Sequence, residues 1–585
     1  MNTQAAVQGA QYDLVIRGGM VHDGLGHAPL AADIGIVGDT IRTVGKVDGR
    51  GAREIDAGGK LVTPGFIDPH THLDFQLSFS GRATPCTWLG VTTVVMGNCG
   101  VGFAPCKPAD RDTMIVLMEG VEDISGALMR QGLPWNWESF PDFLNALAER
   151  QYDADVVAQI PHAALRVAVM GERGVNRAAA TNEELAEMRR LVAESVRAGA
   201  LGVSTSRSRG HVSSDGRPIP SFGAPENELD AIAAGLNDAG GGILQLIPNF
   251  ENADEEMALL ARVAKKCGRP MLLSLLQFIT RPDEWRHVLR LIDAANGDGA
   301  RIIAQVIPRA TGILLGYTAS QNPFFLRPSY VKIAGLPLAE RVAILRDPAF
   351  RAQLLSESMP YNPDDAEDLG LRVAKWDRLF PLSAPLDYEP GPEASIAGIA
   401  ARTGQTPDAV AYDYLLGHDG TTLLYRPFSN YGYGNLDAVR DMIADPHTVI
   451  GLGDAGAHLN GITDASAIPF LLTHWTRDRQ RGGLFPVEWA VKRLTSDTAR
   501  VLGLNDRGVI APGYRADLNV IDYDKLALRP PEVLHDMPGG ASRLVQRADG
   551  FTATIVAGVI VQENGVETGA LPGRLVRGQT AAPQA

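Results

Sequence analysis

The chain has 585 residues, with 54 lysines and arginines against 68 aspartates and glutamates, which gives a formal net charge of −14. Hydrophobic residues make up 45% and charged residues 21%, the balance of an ordinary globular protein, so a disordered or fibrous chain is excluded. The acidic balance argues against a protein that binds nucleic acid through a broadly basic surface, because nothing would neutralise the phosphates.

In chain order, the first sixty residues predict short strands joined by turns. These strands are predicted at residues 12–17, 20–22, 32–37 and 41–44, with Gly38-Asp39 as a turn signal before the last. Similar segments recur near the C-terminus, at residues 516–521, 551–556 and 559–562. We therefore predict that residues 1–61 and 507–575 belong to one small β domain, followed by a disordered tail at 576–585.

The pattern differs in residues 62–506, where predicted buried strands alternate with predicted helices. Eight strands are predicted, at 61–67, 91–96, 156–160, 201–205, 242–247, 271–275, 301–307 and 448–452. The clearest helix is 182–198, with Thr181 as its N-cap. Alternation indicates a parallel sheet, and eight repeats favour a (β/α)8 barrel over an open doubly wound sheet. The segment 308–447 is too long for one crossover, so we predict an inserted lid or oligomerisation segment.

The cysteine count and the apolar stretches predict a cytoplasmic protein. The four cysteines are Cys86, Cys99, Cys106 and Cys267, too few for a disulfide framework in a chain of this length. Residues 1–12 lack the pattern of a signal peptide, and the longest apolar stretches are too short to span a bilayer. We expect neither a membrane nor a nucleic acid as partner.

In a barrel of this kind, functional side chains lie at the carboxyl ends of the strands. The first strand is followed by His70-Thr71-His72, and two histidines at i and i+2 of an extended segment can reach one metal ion. Cys99, beside Gly100 after the second strand, can present a thiolate, and Asp454 after the eighth can be both ligand and proton shuttle. The alternatives are unrelated loop histidines, a small buried cysteine and a helix N-cap aspartate.

Other residues near strand ends are weaker candidates. His162, after the third strand, could polarise a carbonyl or contact the metal, although a histidine bonded within its loop is an equal alternative. Arg207 and Arg209 after the fourth strand and Arg309 after the seventh could bind an anionic substrate group, or be solvated. Two further histidines, His211 and His458, lie on loops and could add ligands.

Longer segments resemble the amidohydrolase superfamily. They are residues 12–19 (YDLVIRGG), 34–44, 62–72 (VTPGFIDPHTH), 498–499 and 508–522 (GVIAPGYRADLNVID). Within it, residues 97–100 (GNCG), 137–147 and 198–205 (AGALGVST) are similar to the N-acyl-D-amino-acid deacylases, or D-aminoacylases. The resemblance implies a metal-dependent TIM-type barrel with a small β-sandwich formed by both terminal segments, and hydrolysis of an amide or related bond.

The resemblance also carries residues over. His70 and His72 match the family's histidine pair, Cys99 its metal-bridging cysteine and Asp454 its strand-eight aspartate. Strands five and six lack the family's metal-binding histidines. Gln245 and Leu275 stand in those regions, and Gln277 stands where the family has a lysine that helps to hold the substrate carboxylate.

Together these points predict a metal-dependent hydrolase of an amide C–N bond, acting on an N-acyl amino acid or a related N-acyl compound. We expect one zinc ion, with two as the alternative, on His70, His72, Cys99 and Asp454, and a catalytic pair of Asp454 and His162. The predicted substrate contacts are Arg207, Arg309, Gln277 and His458. Two other functions stay open: hydrolysis of a cyclic amide, carbamate or lactone with a more apolar substrate, or a non-catalytic binding protein. We expect a small-molecule amide as partner and a homo-oligomer.

Overall fold

The computed structural model describes residues 11–360 and 375–583. Residues 1–10, part of the segment inspected for a signal peptide, lie outside the described residues. So do residues 361–374 of the predicted insertion and residues 584–585 of the predicted tail.

Strands from both ends of the chain form one nine-stranded sheet. They are Tyr12–Val21, Leu30–Val37, Thr40–Gly45, Gly51–Asp56, Leu61–Pro64, Leu518–Ile521, Phe551–Val556, Val559–Glu563 and Val566–Glu567. The C-terminal strand Leu518–Ile521 lies between Leu61–Pro64 and Phe551–Val556, antiparallel to both. Ile16, Ile34 and Val520 are fully buried in the core of this domain. The prediction that both termini build one β domain is confirmed.

Eight parallel strands in chain order form the barrel. They are Phe66–Asp68, Val91–Met96, Asp155–Ala158 continued by Ile160–Pro161, Gly202–Ser206, Ile243–Ile247, Met271–Ser274, Ile302–Val306 and Thr448–Ile450. The predicted first strand, 61–67, is in fact two strands, because the Gly65 amide bonds to Asp517 O at 2.7 Å and the chain leaves the terminal sheet there. The third strand is also broken, and its halves pair with the second and the fourth strands respectively.

The ring is closed by the segments that follow its first and last strands. The backbone amide of Asp454 donates to His70 O at 3.1 Å, and that of His72 donates to Ala455 O at 2.7 Å. Beneath this point, Ile67, Val95 and Ile243 belong to one buried apolar cluster that fills the base of the barrel.

Helices surround the barrel strands and form much of the insertion. The α-helices are Asp74–Phe79, Arg111–Glu122, Gly126–Gly132, Phe140–Ala148, His162–Met170, Glu172–Val175, Asn182–Ala198, Glu226–Ala239, Ala253–Cys267, Glu284–Gly297, Pro328–Val331, Leu338–Leu345, Pro348–Ser356, Ile396–Thr403, Pro407–Leu415, Asp437–Ala444, Ala467–Thr473, Val487–Leu494 and Ser496–Leu502. Thr181 caps its helix as predicted, in a reciprocal capping box with Glu184. Of the helices described, none has the length and apolar character needed to cross a membrane.

The segment between the seventh and eighth strands forms a subdomain with its own core. Its strands, Gly312–Leu315, Phe380–Leu382 and Leu423–Pro427, make an antiparallel sheet with the last in the middle. Glu389 fastens it to the barrel through Arg479, at 2.8 and 2.9 Å, and His474, at 3.0 Å. The helix Asp437–Ala444 packs on the seventh and eighth strands, so it belongs to the barrel although the predicted insertion extends to residue 447.

The described part of the C-terminal tail is ordered, although the sequence predicts a disordered segment. The amides of Val576, Gly578 and Thr580 donate to backbone oxygens of the barrel and its last helix at 2.8–2.9 Å. The prediction for 576–585 is therefore wrong for residues 576–580, because the tail finds backbone partners that its composition does not reveal. Two short hairpin pairings precede it, Ala527–Leu528 with Ala548–Asp549 and Glu532–Leu534 with Arg543–Val545.

Candidate metal centre

His70 and His72 lie directly after the first barrel strand, with ring centroids 5.5 Å apart. Cys99, after the second strand, places its Sγ 3.3 Å from His70 Nε2. One ligand atom of each of these three residues lies within 4.8 Å of the other two, and all three side chains are buried. Imidazole and thiolate are ligands that zinc prefers. Three of the predicted donors therefore converge on one point.

The turn that carries Cys99 is shaped by close backbone contacts. Cys99 itself has a φ of 56°, in the left-handed region that non-glycine residues rarely adopt. A Cβ on Gly97 would lie 2.3 Å from Gln159 O, so only glycine fits there. The Asn98 side chain donates to Thr71 O at 3.0 Å and ties this turn to the histidine segment. The thiol is thus held in place by its neighbours' packing.

Asp454, which follows the eighth barrel strand, is the fourth member of the cluster. Its Oδ1 lies 3.4 Å from His70 Nε2 and 3.8 Å from His72 Nε2. Its side chain is 29% exposed, whereas both histidines are buried, so Asp454 is the member that can meet a substrate. Asp454, Leu452 and His458 all have φ between 44° and 61°. Each such residue costs about 1–3 kcal/mol and is typical of functional sites.

Each histidine has an oxygen at its second ring nitrogen. His70 Nδ1 donates to Gln305 Oε1 at 2.8 Å. His72 Nδ1 lies 3.1 Å from Glu122 Oε1, and both side chains are buried. The hydrogen bond to Gln305 orients the His70 ring and leaves its Nε2 for a metal, whereas Glu122 contacts His72 without hydrogen-bond geometry.

Burial sets the protonation of the cluster. It raises the pKa of Asp454 to about 6, against a lowering effect of His458. It lowers the pKa of His70 to about 4 and that of His72 well below its usual range, so both imidazoles are neutral at pH 7. Neutral imidazoles bind metal ions, and a carboxyl group that titrates near neutrality can accept and return a proton.

The predicted catalytic role of His162 is not supported by its surroundings. Its Nδ1 lies 2.8 Å from Thr205 Oγ1 and its Nε2 lies 2.8 Å from Glu228 Oε1, and the side chain is fully buried. Glu228 also pairs with Arg166 at 2.5 Å. With both ring nitrogens engaged, His162 is part of a buried network that joins the third and fourth strands to a helix.

Of the four predicted substrate contacts, three are bonded to other protein groups and one is exposed. Arg207, Arg309 and Gln277 are engaged by other protein groups, and Arg209 pairs on the surface with Glu251 at 2.5 Å. His458 is exposed, on the same loop as Asp454. His211 is partly buried, and burial, together with the charges of His458 and His70, lowers its pKa to about 4.

Glu122 and Gln305, which contact the two histidines, are residues that the sequence reasoning missed. Gln305 interrupts an apolar strand, and a buried amide in such a place needs a partner. Glu122 falls four and eight residues after the buried Met118 and Met114, on the inner face of its helix. Both signals were present in the sequence, but neither names the histidine that each residue contacts.

The chain resembles known hydrolases over nearly its whole length. The model of the amidohydrolase family matches residues 53–562. A D-aminoacylase from Alcaligenes xylosoxydans xylosoxydans is 27% identical over 580 residues, which cover 98% of this chain and 98% of that protein. An N-acyl-D-glutamate deacylase from the same organism is 29% identical over 528 residues, 88% of each chain. A solved D-aminoacylase with a binuclear metal centre is 25% identical, with a TM-score of 0.64 over 97% of this chain and 100% of that one.

Proposed function

The chain belongs to the amidohydrolase family, and from this premise we propose that it hydrolyses the amide C–N bond of an N-acyl amino acid or a related N-acyl compound with the help of a divalent metal ion. The observation that carries the proposal is the convergence of His70, His72 and Cys99 within 4.8 Å, with Asp454 beside them. A non-catalytic binding protein would have no use for a strained, partly desolvated carboxylate at this point.

The residues present fit a zinc ion. Two neutral imidazoles, one thiol and one carboxylate make up a mixed N, S and O donor set of the kind that holds zinc with room for water. Burial, together with the charges of Glu122 and Asp454, raises the pKa of the Cys99 thiol, and a cation reverses this, because a coordinating thiol loses its proton. We assign one ion per chain to His70, His72, Cys99 and Asp454. When bound, such an ion lowers the pKa of water and polarises a carbonyl oxygen.

The protein's own groups then supply orientation and proton transfer. Gln305 holds the His70 imidazole by a hydrogen bond, and the Glu122 carboxyl group lies 3.1 Å from Nδ1 of the His72 imidazole. Asp454 is the partly exposed member of the cluster, and its carboxylate would accept the proton of the attacking water. It returns that proton to the nitrogen as the C–N bond breaks, so that the products are a carboxylic acid and an amine. The buried first-strand carboxyl Asp68 accepts the backbone N–H of His70 at 3.0 Å and so holds the histidine segment.

Two further parts of the proposal concern the cellular compartment and the oligomeric state. All four cysteines are free and buried, which suits a reducing cytoplasmic setting. Assembly into a homo-oligomer is also still a prediction, and the subdomain between the seventh and eighth strands is our candidate for the contact.

A hydrolysis panel on protein of known metal content tests the function. It would hold N-acetyl-D- and N-acetyl-L-amino acids, uncharged alkyl and aryl amides, a cyclic amide, a carbamate and a lactone. We expect turnover of an N-acyl compound by zinc-loaded protein and none after chelation. Metal-dependent turnover confined to the cyclic amide, carbamate or lactone would replace our substrate class. No turnover of any compound by fully loaded protein would refute the proposal.

A further inference from the structure

The side chains that the sequence offers for binding a substrate carboxylate already have partners. Arg207, at the end of the fourth strand, is held by both oxygens of Glu256, at 2.6 Å from Nε and 3.0 Å from Nη2. Its remaining terminal nitrogen donates to Ala224 O at 2.6 Å. Glu256 is buried, so the positive charge of Arg207 is neutralised where it stands.

Arg309, at the end of the seventh strand, is shielded from a substrate more completely than Arg207. Its side chain is 1% exposed, and it pairs with the buried Asp464 at 2.6 Å. Nη1 donates to Ser466 Oγ at 2.9 Å, and the guanidinium lies 4.1 Å from the centre of the Tyr388 ring. A substrate could recruit this arginine only by breaking a desolvated ion pair, which proteins rarely allow because the abandoned carboxylate would stay buried.

Gln277, after the sixth strand, fastens the insertion to the barrel. Its side-chain Oε1 accepts the backbone N–H of Gly432 at 2.8 Å, and its side-chain Nε2 donates to Pro282 O at 3.1 Å. The backbone N–H of Gln277 donates to Asn430 Oδ1 at 2.7 Å. The side chain is fully buried, so its amide group serves the fold instead of a ligand.

The ends of the sixth to eighth strands are packed with apolar side chains. Leu276 packs on a small cluster of Ile307, Leu452 and Ala467, contributed by the ends of the sixth to eighth strands and the following helix. Leu452 is only two residues before Asp454. Ile307, Leu452 and Ala467 are buried and Leu276 is partly buried, so this cluster supplies no hydrogen-bond donor for a carboxylate.

From these contacts we propose that the amine portion of the substrate carries no carboxylate, so that the enzyme acts on N-acyl amines or on the amides of N-acyl amino acids. This inference rests on the proposed amide hydrolysis and narrows its substrate. It concerns the described part of the chain, in which each predicted carboxylate-binding side chain except the exposed His458 is held by another protein group. His458 is left to contact an uncharged polar group.

A matched pair of compounds tests the inference on the zinc-loaded wild-type protein. N-acetylphenylalanine and N-acetylphenylalaninamide, each as D and L enantiomers, differ only in carrying a carboxylate or an uncharged carboxamide, and release of acetate reports cleavage of the same bond. We expect kcat/KM for the amide to exceed that for the acid by at least tenfold in the preferred enantiomer. Equal values, or a preference for the acid, would overturn the inference and leave the proposed hydrolysis intact. No acetate from either compound, or from simple N-acetyl amines, would refute both.

A pair of variants adds an independent measurement. Glu256→Gln removes the charge that neutralises Arg207, whereas Glu255→Gln changes an exposed neighbour on the same helix. We expect the acid-to-amide ratio of kcat/KM to rise several-fold in Glu256→Gln and to stay at the wild-type value in Glu255→Gln. Equal ratios in the two variants would count against the inference. If Glu256→Gln does not fold, the wild-type ratio decides.

Discussion

Removing the carboxylate of Glu122 should weaken metal binding without disturbing the fold. Glu122 ends the helix Arg111–Glu122 with its side chain buried, 3.1 Å from the Nδ1 of His72. The backbone oxygen of Glu122, which accepts the amide of His458 at 2.5 Å, is untouched by a side-chain change. The structure also supplies an internal comparison, because His70 has the neutral amide oxygen of Gln305 in the equivalent place.

That comparison sets the expected magnitudes. Loss of an oxygen partner behind a ligand histidine typically costs 10–100-fold in metal affinity, or about 1.4–2.7 kcal/mol. Glu122→Gln keeps an acceptor of the kind that serves His70, so we expect a loss of about tenfold or less. Glu122→Leu keeps the approximate volume but removes the acceptor, so we expect a loss near 100-fold. Burial raises the pKa of Glu122, and Asp454 and Asp74 act in the same direction. This favours the neutral carboxyl group, so the loss in metal affinity expected for removing a full negative charge is an upper bound.

Competition with a chromophoric zinc chelator measures the affinities, with circular dichroism to establish that each variant is folded. Asp112→Asn, on the exposed side of the same helix, is the control and should bind zinc as the wild type does. Wild-type affinity in folded Glu122→Leu would show that His72 needs no partner at Nδ1. A greater loss in Glu122→Gln than in Glu122→Leu would also refute the argument.

Four other predictions follow from the same cluster and from the insertion. Asp454→Asn should fold normally and lose at least about 100-fold in kcat, the contribution of a positioned acid–base group, and near-normal turnover would remove it from the mechanism. Cys99→Ala should lose zinc as well as rate in elemental analysis, and full metal with full activity would reduce Cys99 to a packing residue. Dialysed wild-type protein should hold one zinc ion per chain, and two ions, both needed for turnover, would contradict our assignment. Burial alone would raise the pKa of Glu389, but hydrogen bonds from Arg479 and His474 lower it from 4.5 to about 2. Because the folded value is the lower one, this stability is present above pH 4.5 and is lost as pH falls towards 2, by roughly 2 kcal/mol after allowance for solvent screening. Chemical unfolding between those pH values should show this loss in the wild type and much less of it in Glu389→Gln.

The barrel and the convergence of the proposed metal ligands could be predicted from the sequence because each rests on a local pattern. Strand, helix and strand recur regularly, and His70, His72, Cys99 and Asp454 are polar residues placed directly after apolar strands. Burial of an apolar strand fixes where its last residues emerge, so these side chains meet once the strands form a ring.

The residues that could not be predicted depend on partners far away in the sequence. The helix Glu226–Ala239 brings Glu228 to His162, and Glu256 and Asp464 neutralise Arg207 and Arg309. No spacing rule relates these positions, because their contacts arise from packing between separate elements. The order of the C-terminal tail could not be predicted for the same reason, since the backbone partner of Val576 lies in the third barrel strand.

The closure of the barrel has a consequence for biosynthesis. The backbone bonds that join His70 and His72 to the loop of Asp454 also set the distance between the ligand atoms. A ribosome releases the histidines and Cys99 long before it reaches the eighth strand, so the nascent chain carries an incomplete site for most of its synthesis. Contacts between such distant segments are slow to form, and a ligand that binds only the closed ring draws folding towards completion. On the proposed zinc assignment, zinc supply during translation should therefore affect the yield of folded protein as well as its activity.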